Sequence, residues 1–536
     1  MPSKAIMQPP ETRPGGSWRN QPDTGPSALR RDDPTIARAI GLIGAVAIVV
    51  GGMAMMLQNT GRVTPIGAGW STVLLMIGLS ALLFHAAFDG DLQIRRVYMG
   101  FAYLCLVVGS FLAVVPYQKQ MGALFGQGYF CLFLGFLFLL AFLRNEEDAW
   151  IRRVAENVLG GVGAIMAVVG LGGGLIKGEF LMPIGLLLAV LGLIYLSAFV
   201  GSRGVGDDWA YRAGLGIGGV GLLVLVIALG RSILPPLFHR WHWTQTSPEP
   251  YFIPYGALLT ALGSIYLFVS FLECSDNRFI ILTRRELGSL FYSPIAYILL
   301  FVFVINHWLA YGWALFLMLR EEGAVPEPIV RSFVLQLTAV ISIVVVIPVL
   351  TMRLLSEEKR TGTLEVLLTA PVDEGAVILS KFLAAFVMYL VMWVPFGLFL
   401  AYLRVGGGSP FDYRPLFSFT IGQLATGAAF IAMGVFFSSL TRNQVASGVL
   451  TFAGMLSLTS IYFFGWLLSQ YMASSTEPKR SQLETWEKVL KHMSYLDVWF
   501  DTLDGRLFLR QVLFFGSLAL VWLFLSVKVL ESRKWA

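Results

Sequence analysis

Charge is scarce in this sequence of 536 residues, where Asp, Glu, Lys and Arg together make up 13%. Soluble domains carry about 25%, so an ordinary water-soluble enzyme or binding module is excluded. Cysteine is scarcer still: Cys105, Cys131 and Cys274 stand far apart, in or beside apolar runs. They form neither a disulfide framework nor a metal site, and they read as small packing residues. No Gly-x-x-x-x-Gly-Lys-Ser/Thr pattern occurs; the nearest runs, GLGGGLIKGE and RVGGGSPFD, lack the lysine and hydroxyl pair that cradles phosphates. The chain is therefore not expected to be an enzyme or to bind a cofactor. His-x-x-x-His and Cys-x-x-Cys are absent too, which leaves a metalloprotease reading without ligands and the chain with no expected metal site.

What the sequence has in abundance is apolar length. Hydrophobic residues make up 56% and the mean hydropathy is +0.71, values that describe an integral membrane protein. The expected fold is all-α and polytopic, with about 14 transmembrane helices of about 20 residues each. The segments are 37–57, 69–88, 97–116, 123–143, 155–176, 181–200, 213–233, 253–272, 294–318, 331–354, 382–403, 416–438, 446–469 and 511–530. With the N-terminus on the cytoplasmic side, inside loops receive Arg95, Arg96, Arg144, Arg152, Arg153, Arg203, Arg212, Arg278, Arg284 and Arg285. Outside loops receive fewer, among them Arg62, Lys119, Lys177, Arg231 and Arg240. This is the bias of Lys and Arg toward the cytoplasm, and an even number of spans returns both termini there. The +6 net charge is thereby explained without nucleic acid. Residues 470–510 fall outside with mixed charge; within them YLDVWFDTLDGRLF has apolar residues at near-helical spacing and predicts an interfacial helix.

Three regions follow. Residues 1–35 are polar and rich in Pro, Gly and Ser, and read as a disordered cytoplasmic tail with no signal peptide. Residues 36–273 make a membrane domain of about eight spans, rich in glycine, in which Gly214 and Gly218 share a helix face and permit close helix packing. Residues 274–536 make a domain of six spans. It opens with an amphipathic helix in which Ile280, Leu287, Leu290 and Phe291 share one face while Arg284, Arg285 and Glu286 fall away from it.

The stretch LSEEKRTGTLEVLLTAPVDEG, Leu355–Gly375, is strongly polar for its place between two apolar spans. Gly362 interrupts the helix leaving the membrane, Thr363 caps a short new one, Glu365 complements its dipole, and Pro371 ends it. Leu364, Leu367 and Leu368 share a face that needs a membrane surface or a protein partner.

RRELGSLFYSPIAYILL followed by SEEKRTGTLEVLLTAPVDEGAVILSKFLAAF resembles the ABC-2 type ABC transporter permeases, especially the gliding-motility exporter type, over about residues 275–536. The resemblance implies that Phe279–Tyr292 is the connecting interfacial helix and that 356–371 is a cytoplasmic coupling segment docking on a separate ATPase. Glu357, Glu358, Lys359 and Arg360 would then pair with that ATPase, and Gly362, Thr363, Leu364, Glu365, Leu367 and Leu368 would complete the docking element. It further implies that ATP and Mg are bound by the partner, that a second permease copy or related subunit is present, and that the protein resides in the bacterial inner membrane. The eight preceding spans have no counterpart in these motifs.

Among ionisable groups inside spans, His85 lies near a cytoplasmic end and His307 stands beside Asn306 in the first span of the second half. Asn306 and His307 are either a polar contact between helices or part of a translocation path. An exporter permease driven by a partner ATPase is the leading expectation. The alternatives are a non-transporting component of an ATP-driven envelope or gliding machine, and an ion-driven secondary transporter, which would need mid-membrane carboxylates that the spans lack.

Overall fold

The computed structural model describes residues 34–59, 65–88, 91–114, 122–146, 148–203, 207–243, 245, 251–320, 331, 337–364, 373–407, 414–473 and 477–532. Every long element among them is a helix. Twelve are long and apolar enough to cross a membrane, and two shorter apolar stretches, Arg38–Ala54 and Leu74–Phe88, precede them. The protein is an all-α, multi-pass membrane protein. Residues 1–33 of the expected tail, and Glu365, Leu367, Leu368 and Pro371 of the polar stretch, lie outside the described residues, while residues 34 and 35 already belong to the first helix.

The chain forms two compact units, residues 1–114 with 128–155, and residues 115–127 with 156–536. The expected boundary near residue 273 thus falls inside the second unit. The first unit holds α1 (Pro34–Asn59), α2 (Pro65–Phe88), α3 (Leu92–Val114) and most of α4 (Gly122–Asn145). Glycine lets α1 and α2 touch: a Cβ on Gly78 would fall 2.8 Å from the Gly44 carbonyl oxygen. His85, buried at the end of α2, shares a 2.8 Å hydrogen bond with the Tyr98 hydroxyl of α3.

In the second unit the rest of α5 (Ala149–Ile176) is followed by α6 (Leu186–Arg203), α7 (Asp208–Arg240) and α8 (Ala257–Cys274). The expected glycine face is used here. Gly214 packs on Cys274, Gly218 on Ser270, and the Ser270 hydroxyl donates to the Gly214 carbonyl at 2.7 Å.

Next come α9 (Arg278–Tyr292), α10 (Pro294–Arg320), α11 (Leu337–Thr351) and the six-residue α12 (Ser356–Thr361). They are followed by α13 (Glu374–Gly407), α14 (Arg414–Leu440), α15 (Gln444–Ala473), α16 (Glu477–Met493), α17 (Tyr495–Leu503) and α18 (Leu509–Ser532). One continuous apolar core joins α10, α11, α13, α14, α17 and α18.

The expected interfacial helix in YLDVWFDTLDGRLF takes a different place. Tyr495, Val498, Trp499 and Leu503 of α17 are almost completely buried. The Trp499 indole donates to Thr426 Oγ1 at 3.1 Å, halfway along α14, and Tyr495 OH meets Thr459 Oγ1 of α15 at 2.9 Å. A short helix with polar partners for both of its large aromatic heads enters the bundle rather than lying on it. The neighbouring α16 carries the amphipathic, exposed character instead, with Trp486, Val489 and Met493 outward.

Candidate functional site

α11 breaks after Thr351, and residues 352–355 turn the chain into α12. The break is held from outside. The backbone N–H groups of Leu355 and Ser356 both donate to the Ser438 hydroxyl of α14, at 3.0 and 3.1 Å. Lys359 is buried and donates its ammonium to the carbonyl of Ser439. The Ser438 hydroxyl thereby supplies an acceptor for the first two N–H groups of a helix that lacks a capping side chain of its own. At the other end Gly362, with φ of 76°, closes α12 in the left-handed conformation that favours glycine; the helix leaving the membrane, expected to run on to Gly362, has already broken after Thr351. Thr363 meets Thr361 hydroxyl to hydroxyl at 3.0 Å, and Leu364 is buried in the core.

Three elements meet at Lys381. Sequence places this lysine at the edge of a span; the structure places it inside α13 with a side chain 2% exposed. Its ammonium donates to Glu286 Oε2 of α9 at 2.9 Å and to Glu358 Oε1 of α12 at 2.7 Å. A charge so desolvated persists only when paired, and here it is paired twice. Glu286 also accepts from Arg285 at 2.8 Å. Burial by itself would raise the Glu286 carboxyl, but Lys381 and Arg285 outweigh it and hold the group below its ordinary value of 4.5. Glu357 closes a two-pronged pair with Arg353, at 2.8 and 3.1 Å. A cavity of about 300 Å³ lies beside the cluster, lined by these carboxylates and by the hydroxyls of Ser289, Ser293 and Thr361.

Of the expected coupling charges, three are therefore engaged within the chain: Glu357 with Arg353, Glu358 with Lys381, and Lys359 with Ser439. Arg360 is exposed and holds no ion pair among the described residues. On α9 the charged residues do not simply fall away into solvent. Glu286 turns inward to Lys381, Arg284 donates to the carbonyls of Glu273 and Ser275 at 3.2 and 2.9 Å, and of these three neighbours Arg285 alone stays outside. Lys381 is the participant that sequence reasoning missed as a site residue. Its signal was a lysine with apolar runs on both sides, one position before the expected span 382–403.

Asn306 and His307 are not brought to this cluster. His307 is buried on α10, with Nδ1 2.9 Å from the Phe303 carbonyl and its ring against Trp393 and Phe396; Asn306 is half-buried. Elsewhere in the unit an apolar recess of about 370 Å³ opens between α11, α15 and α17, lined by Val344, Phe452, Leu456, Tyr462 and Leu496. Arg331 stands near it, paired with Asp504 at 2.6 Å and lying over the Phe500 ring.

Residues 322–486 match the family described as ABC-2 family transporter protein. They form an ABC-2 transporter domain. The match takes in α11 to α15 and therefore α12, Ser438, Ser439 and Lys381, while Glu286 reaches the ABC-2 domain from the helix that precedes it. No curated protein and no solved structure matches the chain. The match covers about a third of the chain and, with the apolar helices around it, supports a membrane-embedded permease component of an ABC transporter.

Proposed function

We propose that the chain is an exporter permease of the inner membrane, with both termini cytoplasmic, driven by a separate cytoplasmic ATPase that presses on residues 356–371. ATP and Mg are held by that ATPase, and a second permease copy or a related subunit completes the transporter. The observation that carries this reading is the way α12 is tied. One short helix is bonded to α14 through Ser438 and Ser439 and to α9 and α13 through Lys381. Force applied to α12 therefore reaches three long elements at once, and packed elements respond by switching between discrete arrangements. Arg360, Gly362 and Thr363 form the exposed rim that meets the ATPase, while Glu357, Glu358 and Lys359 keep the helix in place for it. The apolar recess between α11, α15 and α17 suits a hydrophobic, lipid-like cargo.

The test is purification of the full chain in mild detergent from its own membrane, with identification of any co-purifying ATPase by its phosphate-binding loop. R360E should weaken recovery of that ATPase roughly tenfold, since reversing a rim charge acts on association. E358Q should retain the ATPase but lose stimulation of its turnover. Failure to recover an ATPase even after cross-linking in native membranes would sink the proposal. Recovery without cargo movement in vesicles would favour an ATP-driven envelope or motility component.

A further inference from the structure

The membrane helices before residue 274 lie outside the ABC-2 match, yet the last of them, α8, is bonded through Arg284 to α9, the helix that carries Glu286 into that domain. Arg284 of α9 donates from both terminal nitrogens to main-chain carbonyls at the end of α8, Glu273 at 3.2 Å and Ser275 at 2.9 Å. These are carbonyls that a helix C-terminus leaves without partners, and the negative end of the helix dipole favours a cation there. Two residues further along the same helix, Glu286 holds Lys381. Residues i and i+2 project about 200° apart around a helix, so the two grips lie on nearly opposite sides of α9. α8 in turn is packed along α7 through the contacts of Gly214, Gly218 and Gly221, and Tyr266 of α8 donates to the Ala189 carbonyl of α6 at 2.6 Å. The bonded path runs from α6 through α8, Arg284, α9 and Glu286 to Lys381 and α12, wholly within the second unit.

We propose that Arg284 is a positioning residue, which anchors α9 on the end of α8 and so aims Glu286 at Lys381, making residues 156–274 the fixed base against which α12 works. The proposal rests on the coupling role of α12 for its meaning in transport, but the geometry is tested without any ATPase. A mere cap on α8 would act only locally. An anchor acts at a distance: its loss should loosen α12, which Arg284 does not touch.

The experiment is hydrogen exchange of the full chain in lipid nanodiscs, comparing wild type, R284Q, R284K and E286Q. For R284Q we expect exchange in 353–364 to accelerate roughly tenfold, the scale of losing a charged hydrogen-bond pair, with 257–270 unchanged. R284K keeps the cation but not the two-pronged grip, and should fall between. E286Q cuts the path beyond α9 and should accelerate 353–364 while leaving 273–284 at the wild-type rate. Should R284Q unfold α8, the R284K comparison carries the test alone. Acceleration confined to 273–284 in R284Q and R284K, with 353–364 unchanged, would overturn the proposal and leave Arg284 a local cap. Because no ATPase is present, that result would not bear on whether α12 couples to one.

Discussion

Lys381 is almost fully desolvated, and its two carboxylate partners are 12% and 21% exposed. Removing one member of such a group is costlier than never having had it, because the remaining charges stay buried without compensation. Lys381→Met should therefore destabilise the chain by about 3–5 kcal/mol, whereas exchange of an exposed surface pair such as Lys528–Glu531 should cost less than about 1 kcal/mol. Thermal unfolding in detergent compares the two. The pH dependence has a definite sign. Because the folded Glu286 carboxyl sits below 4.5, its contribution to stability is fully present above that value and is lost as pH falls through the folded value. The melting temperature should be flat in this respect at neutral pH and fall only below pH 4.5, and E286Q should flatten that acid limb. An acid limb equally steep in E286Q would locate the titration elsewhere.

Between elements, close approach is decided by glycine at a few positions. A Cβ on Gly434 would collide with the Thr351 side chain, where α14 passes the end of α11 just before the turn into α12. G434A should cost about 1–3 kcal/mol by overpacking and should loosen the same turn. Gly397, in α13, faces open space; G397A should be neutral or stabilise by up to about 1 kcal/mol through helix propensity. Parallel melting curves give the comparison, and equal behaviour of the two variants would contradict the packing argument. For α17, Trp499→Phe removes the hydrogen bond to Thr426 while keeping an aromatic ring, an expected loss of about 1 kcal/mol. Trp499→Ala opens a cavity in the core and should cost about 3–5 kcal/mol.

At the scale of the second unit, Arg284 of α9 grips the end of α8, and Glu286 of α9 reaches Lys381 in the ABC-2 domain. The ties to α12 come from three directions, and each is a contact between residues far apart in the chain. The expected consequence is that cargo transport and ATPase stimulation fail together when Lys381 is replaced, while membrane insertion persists, since insertion depends on apolar spans that the substitution leaves intact. Reconstituted vesicles with the partner ATPase check this: transport lost with stimulation retained would show that the ties do not carry the coupling.

The sequence by itself determined that the chain crosses the membrane many times, where the polar stretch between two spans lies, and that Gly362 stops the helix within it. Those properties depend on local quantities, namely apolar length, hydropathy and a backbone conformation that favours glycine. The place of α17 was only half legible. Its spacing announced a helix with an apolar face, but interface and interior demand the same face, and the choice was made by Thr426 and Thr459 on other helices. The charge run of α12 was visible as a run, and its directions were not. Glu358 finds Lys381 23 residues on, Lys381 finds Glu286 95 residues back, and Lys359 finds Ser439 80 residues away. No periodicity within a window reaches such separations. Only the folded bundle, by excluding water from one lysine, decided which carboxylates had to turn inward and which basic residue stayed outside.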